Sequence, residues 1–362
     1  MSTPETRILT VAEALREATD VAMERDESVF VMGEGVADPK AIFGTTGGLL
    51  EKYGSRRVME MPIAENGFTG AAIGAALMGR RPLIIHQRVD FALLSLEQLF
   101  NNAAKISYVS NGKHRVPLVV RMIVGRGWGQ GPAHSQSLET LFAMVPGLKV
   151  VMPSTAREAK GQLIAALEDD NPVLVIEHRW VHYATGEVPP GRYVVPLDGP
   201  RIVRPGADVT IVATSYMLLE ALCAAEALAE AGVSAEVIDM AVIRPFSPRM
   251  VVDSVRRTGR LMVVDTGFRR FGVGAELAAC VAEEALGALR APPLRFGLPD
   301  HPTPSSRALL GGFYPNALTI IDAAAGLAGA DPLRLTAPRE RMAAELAKLP
   351  MDVPHPTFRG PF

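Results

Sequence analysis

The sequence predicts an α/β protein built from two parallel-sheet domains, and three observations carry that expectation. Short apolar strands alternate with helical patterns, the alternation lapses once in a Pro/Gly-rich stretch, and 362 residues exceed one ordinary core. Strands apolar on both sides need cover on both faces, as parallel sheets do.

Thr10 with Glu13 makes a capping box that opens a helix through about residue 25, and SVFVM at 28–32 follows as a buried strand. Further strands are expected at 82–86, 116–122, 148–152 and 172–177, separated by helices over 65–78, 95–110 and 155–168. Between Glu177 and Asp208 the stretch HYATGEVPPGRYVVPLDGPRIVRPGAD breaks the pattern and reads as a linker. Beyond it, strands at 208–214, 234–240, 260–265 and 293–297 alternate with helices near 216–231, 248–257 and 273–289, the first stopped by Gly232. Residues 334–348 suit one more helix, and the proline-rich LPMDVPHPTFRGPF an extended tail draped on a neighbour. The expected division is a domain over 1–190, a linker over 191–207, a second domain over 208–330 and a tail over 331–362.

Thirty-seven Lys and Arg stand against 39 Asp and Glu, a net charge of -2 that offers no footprint for nucleic acid or an anionic membrane. The start lacks a basic segment followed by an apolar run, and no stretch of about 18 apolar residues occurs, so a soluble, cytoplasmic protein is expected. Cys223 and Cys280 form no CxxC and support neither zinc nor a disulfide framework. The glycines at 125, 127, 129 and 131 do not fit GxGxxG, and GVGAEL at 272–277 lacks its third glycine. With no GxxxxGK[ST] and no GxSxG, dinucleotide, NTPase and α/β-hydrolase chemistry all lose their usual grounds.

The informative segment is Met61-Pro-Ile-Ala-Glu65-Asn-Gly-Phe-Thr-Gly, which sets one carboxylate at a strand-to-helix turn, where a helix start favours an anion. Gly67, Gly70, Ala71 and Gly74 let this helix approach a neighbour closely, despite about 1 kcal/mol lost at each interior Gly. Taken alone, Glu65 is a helix-start carboxylate.

Four further motifs change that. RVDFALLSLEQLFNNAAK (88–105), GRGWGQGPAHSQS (125–137), VPGLKVVMPSTAREAKGQLIAALEDDNPV (145–173) and VIRPFSP (242–248) follow in one order. Together with PIAENGFTG they make the chain, from about residue 7 to 330, resemble the beta subunit of the thiamine diphosphate-dependent 2-oxo acid dehydrogenases, a group that includes pyruvate, branched-chain and acetoin enzymes. The resemblance implies a transketolase-like pyrimidine-binding domain followed by a transketolase C-terminal domain. It implies oxidative decarboxylation of a 2-oxo acid with acyl transfer to a lipoyl-bearing acyltransferase, by an assembly of two alpha and two beta chains. The alpha subunit would hold the diphosphate and magnesium and the beta subunit the aminopyrimidine. In agreement, the GDG-then-Asn motif of the diphosphate half is missing, since Asn101 and Asn102 have no GDG upstream.

The resemblance also implies roles. Glu65 would hydrogen-bond the pyrimidine ring nitrogen and so promote loss of the acidic thiazolium proton. Phe91 would pack on the aminopyrimidine, and His134 would face the substrate or the incoming lipoyl group. Glu34 corresponds to an acidic residue near the cofactor that takes part in proton exchange. Ala166, Asp169 and Asn171 match positions whose carbonyls hold potassium in several members, and on the residues alone they are equally a plain helix C-terminus. His178 and His182 stand four apart but lack a third ligand, so no metal is expected there.

Two departures bear on the substrate. His86, Gln87, Arg88 and Asp90 make the segment before Phe91 unusually polar, which suits a second carboxylate or polar group on the substrate if they face the site. Trp128 is large where the family often has small residues. Two other functions fit the same residues: a split transketolase-like or acyloin-forming enzyme without lipoate, and a non-catalytic assembly subunit in which Glu65 only caps a helix.

Overall fold

The computed structural model describes residues 7–38, 41–126, 129–348, 350 and 352–353. The chain divides into two compact units, Met1–Val124 with Leu141–Asp198, and Gly125–Thr140 with Gly199–Pro361.

The first unit holds β1 (Arg7–Thr10), β2 (Val29–Gly33), β3 (Val58–Glu60), β4 (Arg81–His86), β5 (Val119–Val124), β6 (Lys149–Val151), β7 (Val173–His178) and β8 (Thr185–Val188). β2 to β7 run side by side in the order β6-β7-β5-β4-β2-β3, and every pair among them is parallel. β2, β5 and β7 are buried at every residue; β2 does so with an apolar run, whereas β5 and β7 also bury Arg121, Glu177 and His178. Thr10 and Glu13 form the expected capping box, and the helix Val11–Arg25 that follows packs on the helix Ala156–Glu168. β1 and β8 pair antiparallel as a separate two-stranded ribbon, which no alternating pattern announces.

The single helix expected over 95–110 is instead a 3-10 turn at Leu93–Ser95, a π-helical stretch at Gln98–Ala103 and an α-helix at Ala104–Val109. Such a bulge leaves the 3.6-residue period nearly intact, so hydrophobic spacing does not reveal it. The glycine of the PGLKVV motif has a steric reason: Gly147 has φ +99°, and a Cβ there would collide with the carbonyl oxygen of Ala104.

The second unit holds β9 (Arg201–Arg204), β10 (Val209–Ala213), β11 (Ala235–Asp239), β12 (Val242–Arg244), β13 (Leu261–Phe268) and β14 (Leu294–Leu298). Five of these form a sheet in the order β14-β13-β10-β11-β9, parallel except for β9 against β11. Its core is built from the helix Tyr216–Glu230, the helix Ala317–Ala328 and the inward faces of β10, β11 and β13. The expected C-terminal helix forms at Pro332–Leu346, with Leu335 and Met342 against this core. No helix among the described residues is long and apolar enough to cross a membrane.

Candidate active site

In an open parallel sheet, ligands bind beyond the carboxyl ends of the strands. At that edge of the first unit, β2 ends before Glu34, β3 ends in Glu60, and the helix Glu65–Leu77 starts five residues later. These elements bring three carboxylates together. Glu60 accepts hydrogen bonds from the backbone N–H groups of Gly35 (2.6 Å) and Ala37 (2.9 Å), which fixes the turn after β2. Gly35 has φ +76° there, and a side chain at this position would run into the amide of Gln87.

Glu65 is the first residue of its helix and only 4% exposed, although Ile63 two residues earlier is 84% exposed. Its backbone carbonyl accepts the Ser95 hydroxyl at 3.1 Å, and Ser95 in turn accepts the Thr69 hydroxyl at 2.9 Å. That pins the first helical turn to the segment behind it. Glu34 reaches the Glu65 carboxylate, and burial, with the charges of Glu65 and Glu60, pushes the Glu34 carboxyl up to about 7. Glu34 thus carries the proton of the pair, and its second oxygen, Oε1, is buried without a partner.

The polar run that ends β4 and follows it is put to several uses. His86 is 2% exposed, stacks on Phe68 of the Glu65 helix with ring centroids 5.5 Å apart, and is held neutral by burial, its pKa down to about 4. Gln87 Nε2 donates to the Glu34 carbonyl at 3.4 Å. Arg88 lies over the Phe43 ring at 5.8 Å, and Arg179 over the same ring at 4.1 Å. Burial and the neighbouring Arg179 charge lower the Arg88 pKa to about 10. Phe91 is half-buried in the short helix Val89–Ala92 that follows.

His134 is half-buried and belongs to the second unit, in the segment closed by the Gly125 N–H donating to the Gln136 carbonyl at 3.0 Å. Trp128 lies outside the described residues.

At the expected potassium segment, the Ala166 carbonyl accepts the Asp169 N–H (3.2 Å), and Asp169 Oδ1 accepts the Asn171 backbone N–H (2.9 Å). The Asp169 carboxylate also meets the Lys149 ammonium, while Arg81 donates to the carbonyls of Leu167 (3.2 Å) and Asp169 (2.9 Å). Of the two histidines, His182 bonds to Glu177 at 2.9 Å and His178 Nδ1 accepts the Trp180 N–H. No group of three His, Cys, Asp or Glu among the described residues could hold a metal ion.

Sequence reasoning missed Glu60, whose only signal was an acid closing a short strand. It also missed the buried acids Glu139 and Asp265 of the second unit, which stand 126 positions apart and carry no shared motif.

Residues 8–181 match the family described as transketolase, pyrimidine binding domain, and residues 200–320 match transketolase, C-terminal domain. The chain is 40% identical over 328 residues to the acetoin:2,6-dichlorophenolindophenol oxidoreductase subunit beta of Cupriavidus necator, covering 88% of this chain and 97% of that one. It is 39% identical to the pyruvate dehydrogenase E1 component subunit beta of Rhizobium meliloti, covering 88% of this chain and 70% of that one. The mitochondrial counterpart of Pisum sativum is 40% identical, with 87% and 89% covered. Among solved structures, a split gene transketolase described as an inactive beta4 tetramer superposes with a TM-score of 0.69 at 22% identity, covering 89% of this chain and 98% of that one, which supports the fold. With both transketolase domains in order and relatives of this identity over most of its length, the chain belongs to the family of beta subunits of thiamine diphosphate-dependent 2-oxo acid dehydrogenases.

Proposed function

We propose that this chain is the aminopyrimidine-holding half of an enzyme that oxidatively decarboxylates a 2-oxo acid and passes the acyl group to a lipoyl-bearing acyltransferase. The observation that carries the proposal is the hydrogen-bonded Glu34–Glu65 pair at the carboxyl edge of the first sheet. Its donor set suits an aminopyrimidine: Glu65 supplies a carboxylate acceptor at a helix start, and Glu34 a neighbouring carboxyl with a buried oxygen to spare. Thiamine diphosphate, when bound, supplies the electron sink for decarboxylation.

The chain's own residues supply orientation and proton control. Glu65 holds a pyrimidine ring nitrogen, and Glu34, titrating near neutrality, moves a proton to and from Glu65. Phe91 presents a flat apolar face to the pyrimidine, and His134 meets the substrate or the lipoyl group. An alpha subunit completes the site, two of each chain assembling, and brings the residues for diphosphate and magnesium. Two free cysteines suit a reducing compartment, and the cytoplasm is the location we assign. A structural potassium ion would take the remaining lone pairs of the Ala166, Asp169 and Asn171 carbonyls, against repulsion from Arg81 and Lys149. A melting temperature higher in potassium than in sodium chloride at equal ionic strength supports that ion, and equal values remove it.

The test is co-expression with the alpha partner and dye-coupled oxidation of a panel of 2-oxo acids, with thiamine diphosphate and magnesium, for wild type and Glu65→Gln. Loss of at least about 100-fold in turnover with the assembly intact supports the proposal. The acetoin relative, covered over 97% of its length, favours a second reading: acyloin cleavage or formation without lipoyl transfer. Turnover with an acyloin or an aldehyde acceptor, and none with lipoyl protein, selects it.

A further inference from the structure

The C-terminal domain match ends at residue 320, and the chain continues for a helix and a tail beyond it. The helix Pro332–Leu346 is firmly seated on the second unit. Arg339 makes a two-pronged bond to Asp322 (2.7 and 2.9 Å), Arg341 pairs with Glu230, and Leu335 and Met342 pack on the core. Past this helix the chain turns inward, and Asp352 is 6% exposed.

The Asp352 carboxylate faces Arg126, with Nε at 3.5 Å from Oδ1, an ion pair longer than a hydrogen bond. The Arg126 guanidinium lies 4.2 Å from the Tyr314 ring centroid. Burial pushes the Asp352 carboxyl up, and Arg126 and Arg307 pull it back. Arg126 follows Gly125, whose N–H closes the segment bearing His134. A second contact restrains the same segment, because any side chain at Gly131 would collide with Ser305.

From this geometry we propose that Asp352 is a positioning residue: the C-terminal extension holds Arg126 against Tyr314 and thereby sets the segment that carries His134. A buried guanidinium that loses one of its carboxylates keeps the desolvation cost and loses part of the compensating attraction, the rest coming from Tyr216, Tyr314 and Glu220. Arg126 then moves toward water, and the segment anchored on it loosens. The effect on substrate rests on the assignment of His134 above, whereas the effect on the anchor does not.

Two variants leave the helix Pro332–Leu346 in place: Asp352→Asn, and a chain ending at Lys348. Each is assembled with the alpha subunit and compared with wild type and Asp352→Glu in two ways. Limited trypsin digestion, followed by mass, reads cleavage of the Arg126–Gly127 bond relative to other sites. Kinetics on the preferred substrate separates KM from kcat. The expected result is cleavage after Arg126 at least threefold faster in both variants, KM raised at least threefold with kcat changed less, and wild-type behaviour restored by Asp352→Glu. Unchanged cleavage at Arg126 in both variants overturns the proposal. Faster cleavage with unchanged KM and kcat overturns the link to His134. If the complex turns over no 2-oxo acid at all, the function fails, and the digestion still decides whether Asp352 anchors Arg126.

Discussion

Glu34 hydrogen-bonds Glu65 through a proton that it holds up to about pH 7. Its folded pKa lies above the ordinary glutamate value of 4.5, so the native state binds that proton more tightly than the unfolded chain. The stabilisation is complete below about 4.5 and is lost as pH rises through about 7. Glu34→Gln keeps a donor toward Glu65 and removes the titration. Its melting temperature in the isolated chain should therefore rise relative to that of wild type as pH increases between these limits. A variant with the same trend as wild type would show that the proton is not on Glu34.

His86 works in the opposite direction over nearly the same window. Burial lowers its pKa from 6.5 to about 4, so its contribution is present above 6.5 and lost as pH falls toward 4. His86→Phe keeps a ring against Phe68 and removes this acid-side loss. Wild type should look flat where the two trends cancel. His86→Phe should expose the fall with rising pH, and Glu34→Gln the rise. Melting temperatures at half-unit steps from pH 4 to 7.5 read both; parallel curves for the two variants would refute the assignment.

The legible parts of this molecule are those in which one local rule decides the outcome. Buried strands announce themselves as apolar runs, the Thr10–Glu13 box as a cap, and Glu65 as an acid at a helix start beside small residues. Features made by tertiary contact left no such trace. Glu60 shapes the turn after Glu34 through backbone donors at Gly35 and Ala37, 25 and 23 residues away. The run His86-Gln87-Arg88 read as unusually polar, with its facing left open; His86 is core against Phe68 and Arg88 is buried against Phe43. Its alternation is that of a strand leaving a sheet, where successive residues find different neighbours. The proline-rich tail lacks periodicity, so composition alone could not place Asp352 on Arg126 of its own chain.

The buried ion pair of the first unit carries a stability prediction. Burial favours the neutral form of Glu177, but Arg121 (2.5 and 2.9 Å) and His182 (2.9 Å) outweigh it and hold the carboxyl at about 2. Its stabilisation is present above about 4.5 and lost as pH falls toward 2. Arg121→Met strands a buried carboxylate and should cost about 3–5 kcal/mol, while Arg121→Met with Glu177→Leu should recover most of that loss. Urea unfolding of the three proteins measures it, and a double variant no better than the single one would contradict it.

In the second unit the acids Glu139 and Asp265 are buried side by side, and only one of them can be charged without severe repulsion. Asp265 accepts the Thr214 hydroxyl at 2.8 Å and the backbone N–H groups of Gly267 (3.2 Å) and Val273 (3.0 Å), so its environment is built for an anion. Burial and the Asp265 charge push the Glu139 pKa well above the ordinary carboxyl range, which puts the shared proton on Glu139. The two amide variants should therefore differ. Glu139→Gln still donates to Asp265 and should be close to wild type near neutrality. It should also lose the decline in stability that wild type shows as rising pH strips the Glu139 proton. Asp265→Asn points an N–H₂ at groups that are themselves donors and should cost about 1–3 kcal/mol. Urea unfolding at neutral and alkaline pH separates the cases, and equal losses for the two variants would mean that the proton is not localised on Glu139.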